Sequence, residues 1–259
     1  MNRLYTAKEY VHYLFHARHR QGFGIHSPYV FHLLNEVIFN KGQFYCYEPI
    51  ESLRNQLRNQ PQTMTMNDAG QGHYTNRTIG SIVRESVKSR KDAQLLFRLI
   101  NMNQSTTILE LGTALGITTL YLASANSRAN VVTMEADEQL CAFAQHLFSE
   151  KQQNNIRLLC GKIEQTLPLF LEATDQLDFV FFDANHTYES TMHYVSMCLT
   201  KIHSNSIFVI DDIHWSPSMK QAWIELKNDP KVRLSIDLFS MGLLFFNQDL
   251  QKQDYVVAF

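Results

Sequence analysis

The stretch 107–123 constrains the fold of this chain more than any other segment. An apolar run ends at Glu110, a turn with Gly112 and Gly116 follows, and an apolar helical pattern begins near Ile117. Because glycine has no β-carbon, the chain can turn tightly there and bring a ligand against backbone N–H groups at the positively polarised start of a helix. This order of strand, glycine turn and helix predicts a site for a nucleotide-type cofactor.

The spacing of the two glycines distinguishes this turn from that of dinucleotide enzymes. It reads Gly-x-x-x-Gly, whereas a pyrophosphate is usually bound by Gly-x-Gly-x-x-Gly. One helix later, a second strand over 130–135 ends in Glu135, where a carboxylate can accept hydrogen bonds from the two hydroxyls of a ribose. The pattern predicts a cofactor that contains a ribose and needs no pyrophosphate site.

From Asp92 onward, strands alternate with helices. Helical stretches separate five apolar runs, which lie near 106–111, 131–135, 156–160, 178–183 and 206–211. Two further apolar runs, 232–239 and 242–247, are joined by a short polar turn and predict an antiparallel hairpin. The alternation predicts an α/β fold, doubly wound and Rossmann-like, with a mostly parallel seven-stranded sheet that ends in this hairpin.

The segment Glu110-Leu-Gly-Thr-Ala-Leu-Gly116, taken with Glu135 and the terminal hairpin, resembles class I S-adenosylmethionine-dependent methyltransferases. The resemblance extends over residues 92–247. It implies that the glycine loop passes the methionine part of the cofactor and that the acid ending the next strand binds the ribose. The cofactor contacts assigned in this way are Glu110, Gly112, Thr113, Gly116, Glu135, Ala136 and Asp183.

Two later strands also end in carboxylates. One ends at Asp183, with His186 three residues further on, and the next ends at Asp211 and Asp212. Neighbouring strand ends would bring these carboxylates together, and like charges at close range require a shared proton or a cation. Oxygen ligands favour a hard ion, so we predict a divalent-cation site, with Mg²⁺ as the expected ion. Aspartates that only cap helices are the plainer interpretation.

This layout resembles the catechol O-methyltransferase-like branch of the class I enzymes. In that branch, three such residues bind a divalent ion that holds the acceptor oxygen, which implies Asp183, Asp211 and Asp212 as the metal ligands. Asp212 stands where many members have asparagine, and His186 stands where many have lysine. A neutral imidazole can take a hydroxyl proton near pH 7, so His186 and Asp183 are the predicted catalytic residues. A surface role for His186 stays open.

One position departs from the family pattern. Lys162 follows the third strand, where relatives often have an acid that accepts the adenine amino group. The adenine must then be bound by backbone groups and apolar packing, or the cofactor differs. On the acceptor side, we expect Tyr188, His214 and Trp215 to line the pocket.

Residues 1–91 are predicted to form an N-terminal helical extension, followed by the methyltransferase domain over 92–259. Apolar residues at helical spacing indicate a helix over 3–19, and Ser27-Pro28 starts a second one. The polar stretch 61–80 lacks clear periodicity and is predicted to be a long loop. It is interpreted either as a lid that closes over the substrate or as a plain linker.

Composition limits the partners and the location. The 259 residues carry a formal net charge of −2, with 45% hydrophobic and 19% charged residues. This composition is ordinary for a globular protein, and the net charge lacks the positive excess that is typical of nucleic-acid-binding proteins. The four cysteines form no Cys-x-x-Cys pair and are expected to be reduced and buried. Without a signal core or a run of roughly 18 apolar residues, we expect a cytoplasmic protein without membrane contact.

The sequence therefore predicts an enzyme, an S-adenosylmethionine-dependent methyltransferase that methylates a small-molecule hydroxyl with the help of a divalent ion. Two other classes stay open: a metal-independent methyltransferase acting on protein or RNA, and a non-enzymatic binding module that keeps the fold. A nicotinamide dehydrogenase is a third alternative, against which the glycine spacing argues. The acceptor is not defined by the sequence, and a homodimer is compatible with it.

Overall fold

The computed structural model describes residues 3–18, 24–67 and 74–259. They form two compact units, one of Lys41–Phe170 and one that combines Met1–Asn40 with Leu171–Phe259. The helices are α1 (Arg3–His16), α2 (Pro28–His32), α3 (Tyr47–Arg58), α4 (Ile79–Ser86), α5 (Arg90–Asn103), α6 (Ile117–Ala125), α7 (Glu138–Glu150), α8 (Ile163–Glu172), α9 (Tyr188–Cys198) and α10 (Pro217–Asn228), with a π-helical stretch at Leu33–Ile38. The domain boundary at 91/92 stays a prediction.

Most strands of the described residues follow the predicted positions closely. They are β1 (Thr63–Asn67), β2 (Tyr74–Thr78), β3 (Thr107–Leu111), β4 (Asn130–Glu135), β5 (Ile156–Cys160), β6 (Phe179–Phe182), β7 (Ile207–Asp211), β8 (Leu234–Asp237), β9 (Met241–Phe245) and β10 (Gln253–Val256). The five strands predicted between residues 106 and 211 are confirmed as β3 to β7.

In the unit Lys41–Phe170, three parallel strands lie side by side in the order β3-β4-β5. The last four residues of β3 and the central four of β4 are buried, as expected for parallel strands that are covered on both faces. Helix α6, which connects them, is buried at every position except Ser124. Its continuous apolar sequence is therefore that of a core helix.

The stretch 61–80 was predicted as a long loop, and this prediction was wrong. Strands β1 and β2, of five residues each, occupy half of it and pair in antiparallel register from Thr63↔Thr78 to Asn67↔Tyr74. The Thr-Met alternation of β1 has the period of a strand, and its Met64 side chain is buried. The prediction failed because pairing with β2 decides the conformation of so short a polar segment. Residues 68–73, the middle of the stretch that was interpreted as a lid or a linker, lie outside the described residues.

In the other unit, the strand order is β10-β8-β9-β7-β6. Strands β6 and β7 are parallel, whereas β9 runs antiparallel to both β7 and β8, which confirms the predicted hairpin. Strand β10 pairs in parallel with β8 and was not predicted. Strands β3 to β10 therefore number eight rather than seven.

The N-terminal residues of this unit form the predicted helices. Helix α1 is confirmed, and Ser27 caps α2 by accepting a hydrogen bond from the N–H of Val30 at 3.4 Å. The hydroxyl of Tyr13 donates to the carbonyl of Val257, which ties α1 to the C-terminal segment. Of the described helices, none combines the length and the apolar character needed to cross a membrane.

Candidate active site

The glycine turn joins β3 to α6 through three residues with positive φ. They are Gly112 at 99°, Ala114 at 47° and Gly116 at 81°, a conformation that glycine adopts easily and alanine does not. The N–H of Gly112 donates to the carbonyl of Met134 at 3.0 Å, and the N–H of Gly116 donates to the carbonyl of Thr113 at 2.9 Å. The protein's own backbone therefore holds this turn against the end of β4.

Glu135 lies at the junction between this turn and the end of β4. Its Oε2 accepts a hydrogen bond from the N–H of Ala114 at 2.9 Å, and its Oε1 accepts from the N–H groups of Ala136 at 2.9 Å and Asp137 at 3.0 Å. Burial raises the pKa of the Glu135 carboxyl, against the opposing effect of these three donors. The carboxylate therefore organises the turn in addition to facing the position predicted for the ribose.

Glu110 is fully buried, in contact with the turn through threonine hydroxyls. Its Oε2 accepts hydrogen bonds from the hydroxyls of Thr119 at 2.5 Å and Thr133 at 2.7 Å. The hydroxyls of Thr133 and Thr113 lie 2.6 Å apart, and since Thr133 uses its proton for Glu110, Thr113 donates to Thr133. Burial raises the pKa of Glu110 to about 7. Its Oε1 has no hydrogen-bond partner among the described residues.

The carboxylates that end β6 and β7 meet because the two strands are parallel and in register. Phe182 and Ile210 are register partners, so the residues that follow them, Asp183 and Asp211, are neighbours. Together with His186, they form a group whose ligand atoms all lie within 4.8 Å of one another. Asp211 is fully buried.

His186 is directed toward this group by an unusual backbone turn. Asn185 and His186 have φ values of 61° and 32°, and the Asn185 amide donates to the hydroxyl of Tyr194 at 2.8 Å. The two ring nitrogens of His186 face two carboxylates. Nε2 lies 3.5 Å from Oδ1 of Asp183, and Nδ1 lies 3.8 Å from Oδ2 of Asp212.

Asp212 lies at the edge of the site rather than in the close group. Its φ of 53° is left-handed, and its N–H donates to the carbonyl of Ser240 at 2.7 Å. In the part of the chain that the structure describes, the third member of the close group is His186. The sequence had predicted Asp212 as the third metal ligand. The sequence predicts His186 at this site as the base rather than as a member of the metal-binding group.

The residues predicted to line the acceptor pocket have different environments. The hydroxyl of Tyr188 donates to Glu225 at 2.7 Å on the exposed surface of α9 and α10. His214 is buried and lies 2.8 Å from Asp237. Of the three, Trp215 has the most exposed apolar surface, with 39% of the residue accessible.

Beyond β5, Lys162 lies at the position where the family pattern has an acid. Lys162 is exposed, and its carbonyl accepts hydrogen bonds in the first turn of α8. Cys160 is also exposed, whereas Cys46, Cys141 and Cys198 are buried, and all four thiols are free. The prediction of burial was wrong for Cys160 because it ends β5, the outer strand of the three in its unit.

A family model matches the central part of the chain. Residues 109–213 match a family model described as a methyltransferase domain. A search of curated proteins returned no match to the chain.

Solved structures resemble the chain at low sequence identity. One is the O-methyltransferase TomG from Streptomyces achromogenes, involved in tomaymycin synthesis, in complex with S-adenosylmethionine (TM-score 0.56, 20% identity, 63% of this chain and 82% of that chain). A second is a putative caffeoyl-CoA O-methyltransferase from Staphylococcus aureus (0.57, 16%, 64% and 88%). A third is an O-methyltransferase from Bacillus cereus in complex with S-adenosylhomocysteine (0.57, 17%, 80% and 93%).

At these identities, the likeness shows the fold, and it confirms the predicted doubly wound, Rossmann-like class. The match over residues 109–213 is to a methyltransferase domain, the class of protein that the glycine turn and Glu135 resemble in the sequence. The O-methyltransferases among these structures share this fold.

Proposed function

We propose that this enzyme transfers the methyl group of S-adenosylmethionine to a hydroxyl oxygen of a small molecule that a divalent cation holds. The observation that carries the proposal is the convergence of Asp183, Asp211 and His186 within 4.8 Å. Asp211 is fully buried, and a buried carboxylate beside a second one requires a cation or a proton. Exposed acids that merely share a surface would not require either.

The residues present suit a hard divalent ion. Asp183 and Asp211 offer carboxylate oxygens, and Asp212 offers a third from the edge of the group, a set that favours Mg²⁺. When bound, such an ion polarises the acceptor oxygen and makes its hydroxyl easier to deprotonate. A nitrogen ligand from His186 would shift the preference towards Mn²⁺, Zn²⁺ or Fe²⁺. Measuring which ion binds most tightly therefore tests whether His186 is one of the ligands.

His186 takes the proton of the acceptor hydroxyl in this proposal. A hydroxyl is a weak nucleophile, with even a phenol near pKa ~10, and a neutral imidazole accepts a proton near pH 7. Its lone pair cannot bind an ion and a proton at the same time, so the two roles exclude each other. The carboxylates of Asp183 and Asp212 on either side stabilise the imidazolium that forms.

The residues proposed to bind the methyl donor are those of the glycine turn and the end of β4. Gly112, Thr113 and Gly116 shape the turn for the methionine part, and the unpartnered Oε1 of Glu110 is a buried acceptor for a donor group. Glu135 uses three of about four lone-pair positions on backbone N–H groups. One lone-pair position therefore remains for a ribose hydroxyl, and a second hydroxyl would share a position with a backbone N–H group.

Orientation contributes more than proton transfer to the proposed rate enhancement. Methyl transfer from a sulfonium is an in-line displacement with a good leaving group already in place. Holding the two reactants in line contributes about 7 to 11 kcal/mol in favourable cases, whereas a general base adds about 10²- to 10⁴-fold. The chain's main tasks are therefore to bind, to orient and to remove one proton.

Calorimetric titration tests this proposal directly. We expect S-adenosylmethionine to bind without metal, and Mg²⁺ to bind chelator-treated enzyme and to restore turnover of catechol, phenol or sugar hydroxyl acceptors. Asp211→Asn should abolish Mg²⁺ binding, and the control Asp229→Asn, a partly exposed residue that follows α10, should leave it unchanged. Full turnover in the presence of a chelator would instead support the metal-independent alternative.

A further inference from the structure

A cluster of titratable side chains lies beside the segment that follows β7, and the proposed chemistry does not use it. Oε2 of Glu9 in α1 lies 2.5 Å from Nζ of Lys220 and 3.6 Å from Nδ1 of His214. Nε2 of His214 lies 2.8 Å from Oδ2 of Asp237, at the end of β8. Glu9, His214 and Asp237 are 7%, 8% and 8% exposed, so a buried imidazole lies between two buried carboxylates. Its Nε2 is hydrogen-bonded to Asp237, whereas its Nδ1 is in electrostatic contact with Glu9 without a hydrogen bond.

Aromatic packing joins the same cluster to the turn between β8 and β9. The His214 ring stacks on Phe239 at 5.1 Å and 9°, and Tyr10 and Tyr13 of α1 pack against Phe239 at 4.9 and 5.2 Å. Phe239 has a left-handed φ of 70°, and its N–H donates to Oδ1 of Asp237 at 2.8 Å. Asp237 thus holds both the imidazole and the turn against which it packs.

The cluster connects to the proposed metal ligands through a short and tightly bonded segment. His214 follows Asp212 by two residues, and the N–H of Trp215 donates to the carbonyl of Asp212 at 2.9 Å. The N–H of Asp212 in turn donates to Ser240, in the turn beside Phe239. A displacement of His214 would therefore displace the turn that carries Asp212 and the end of β7.

We propose that Glu9 and Asp237 are positioning residues for the β7 segment. They fix His214 and, through it, the orientation of Asp211 and Asp212. This inference rests on the proposed ion site. Buried charged groups are expensive to leave without partners, so the chain keeps this arrangement only where the surrounding structure holds it in place. Helix α1, which carries Glu9, then helps to orient the proposed metal ligands.

The test compares Glu9→Gln and Asp237→Asn with a destabilised control. Both variants keep the side-chain shape and remove one charge beside His214. Val30→Ala removes packing at a residue that is 1% exposed in α2 of the same unit. The measurements are the Mg²⁺ dissociation constant, the S-adenosylhomocysteine dissociation constant, the melting temperature, and hydrogen exchange of the peptide 211–216.

Both cluster variants should weaken Mg²⁺ binding by about tenfold, at the lower end of the about 10- to 100-fold losses seen for residues that support metal ligands. They should also speed exchange over 211–216 and leave the S-adenosylhomocysteine affinity unchanged. Val30→Ala, at an equal loss of melting temperature, should change neither metal affinity nor exchange there. Using two separate variants keeps the test decisive if one of them fails to fold.

Two outcomes distinguish failure of the inference from failure of the ion site. If both cluster variants match Val30→Ala in exchange over 211–216, the positioning role is overturned whatever the metal does. If the wild-type enzyme binds no Mg²⁺ but the two variants still speed exchange over 211–216, the ion site fails and the positioning of the β7 segment stands.

Discussion

Oε2 of Glu135 accepts a hydrogen bond from the backbone N–H of Ala114 at 2.9 Å. The acid at the end of β4 therefore holds the turn after β3 in its bent conformation, with Ala114 at a φ of 47°. Since the other carboxylate oxygen binds the backbone of the next turn, a single side chain couples the two loops that the sequence predicted to contact the cofactor. The predicted ribose ligand is also the support of the glycine turn.

Glu135→Gln should weaken the binding of S-adenosylhomocysteine markedly. An amide has one acceptor oxygen instead of two, so the variant must lose either the bond to Ala114 or those on the other side. A hydrogen bond to a charged group contributes about 1.5 to 3 kcal/mol, which corresponds to roughly a 10- to 150-fold loss of affinity. Calorimetry measures it, with the exposed Glu138→Gln as the matched control. Equal affinities of the two variants would contradict the role of Glu135.

The buried carboxyl of Glu110 should make stability depend on pH. Below its ordinary pKa of 4.5 it is protonated in both states, and between 4.5 and about 7 the folded protein holds the proton while the unfolded chain releases it. Stabilisation present at low pH is therefore lost as the pH rises through about 7, by up to about 3 kcal/mol.

Urea unfolding at pH 5, 6, 7 and 8 measures this dependence. Glu110→Gln cannot ionise at this position. The unfolding free energy of the wild type, relative to that of the variant, should therefore fall as the pH rises. Parallel pH profiles of the two proteins would show that Glu110 keeps its ordinary pKa.

His186→Gln should lower kcat by about 10²- to 10⁴-fold, the usual contribution of a general base. Its Mg²⁺ dissociation constant should stay within about twofold of the wild-type value, because the proposed ligands are carboxylates. A large loss of metal affinity in this variant would make His186 a ligand instead of the base. The exposed His193→Gln on α9 is the matched control.

Gly116→Ala should destabilise the enzyme by about 2 to 5 kcal/mol. An added β-carbon would lie 2.6 Å from Cε1 of Phe148, and the φ of 81° is unfavourable for alanine. Overpacking costs about 1 to 3 kcal/mol, and a left-handed residue about 1 to 2 kcal/mol. Denaturant unfolding of Gly116→Ala in a Phe148→Leu background should recover the packing part only. If the Phe148 change recovers nothing, the clash is not the cause.

Cys160 should react with a thiol reagent well before the other three cysteines. It is exposed, whereas burial raises the pKa of Cys46 to about 11 and also raises those of Cys141 and Cys198. Since the thiolate is the reactive form, one fast equivalent is expected per folded chain, and Cys160→Ser should remove it. Fast reaction of a second cysteine in that variant would disprove this pattern of burial.

Most strands could be predicted because their signal is local. The runs that became β3 to β7 are apolar and end in acids, and a buried parallel strand needs no partner to be recognised in a sequence. Strands β1 and β10 lack such runs. Each is defined by pairing, β1 with β2 and β10 with β8, and pairing between separate segments leaves little trace in either one.

The sequence by itself determined the class of fold, the glycine turn with Glu135, and the carboxylates that follow β6 and β7, because periodicity and spacing encode all three within short segments. Only the tertiary structure decided that His186 joins Asp183 and Asp211, and that Glu9 meets Lys220 from 211 residues away. Contacts of that kind form when folding buries charged groups together, and no local pattern records which group will become the partner.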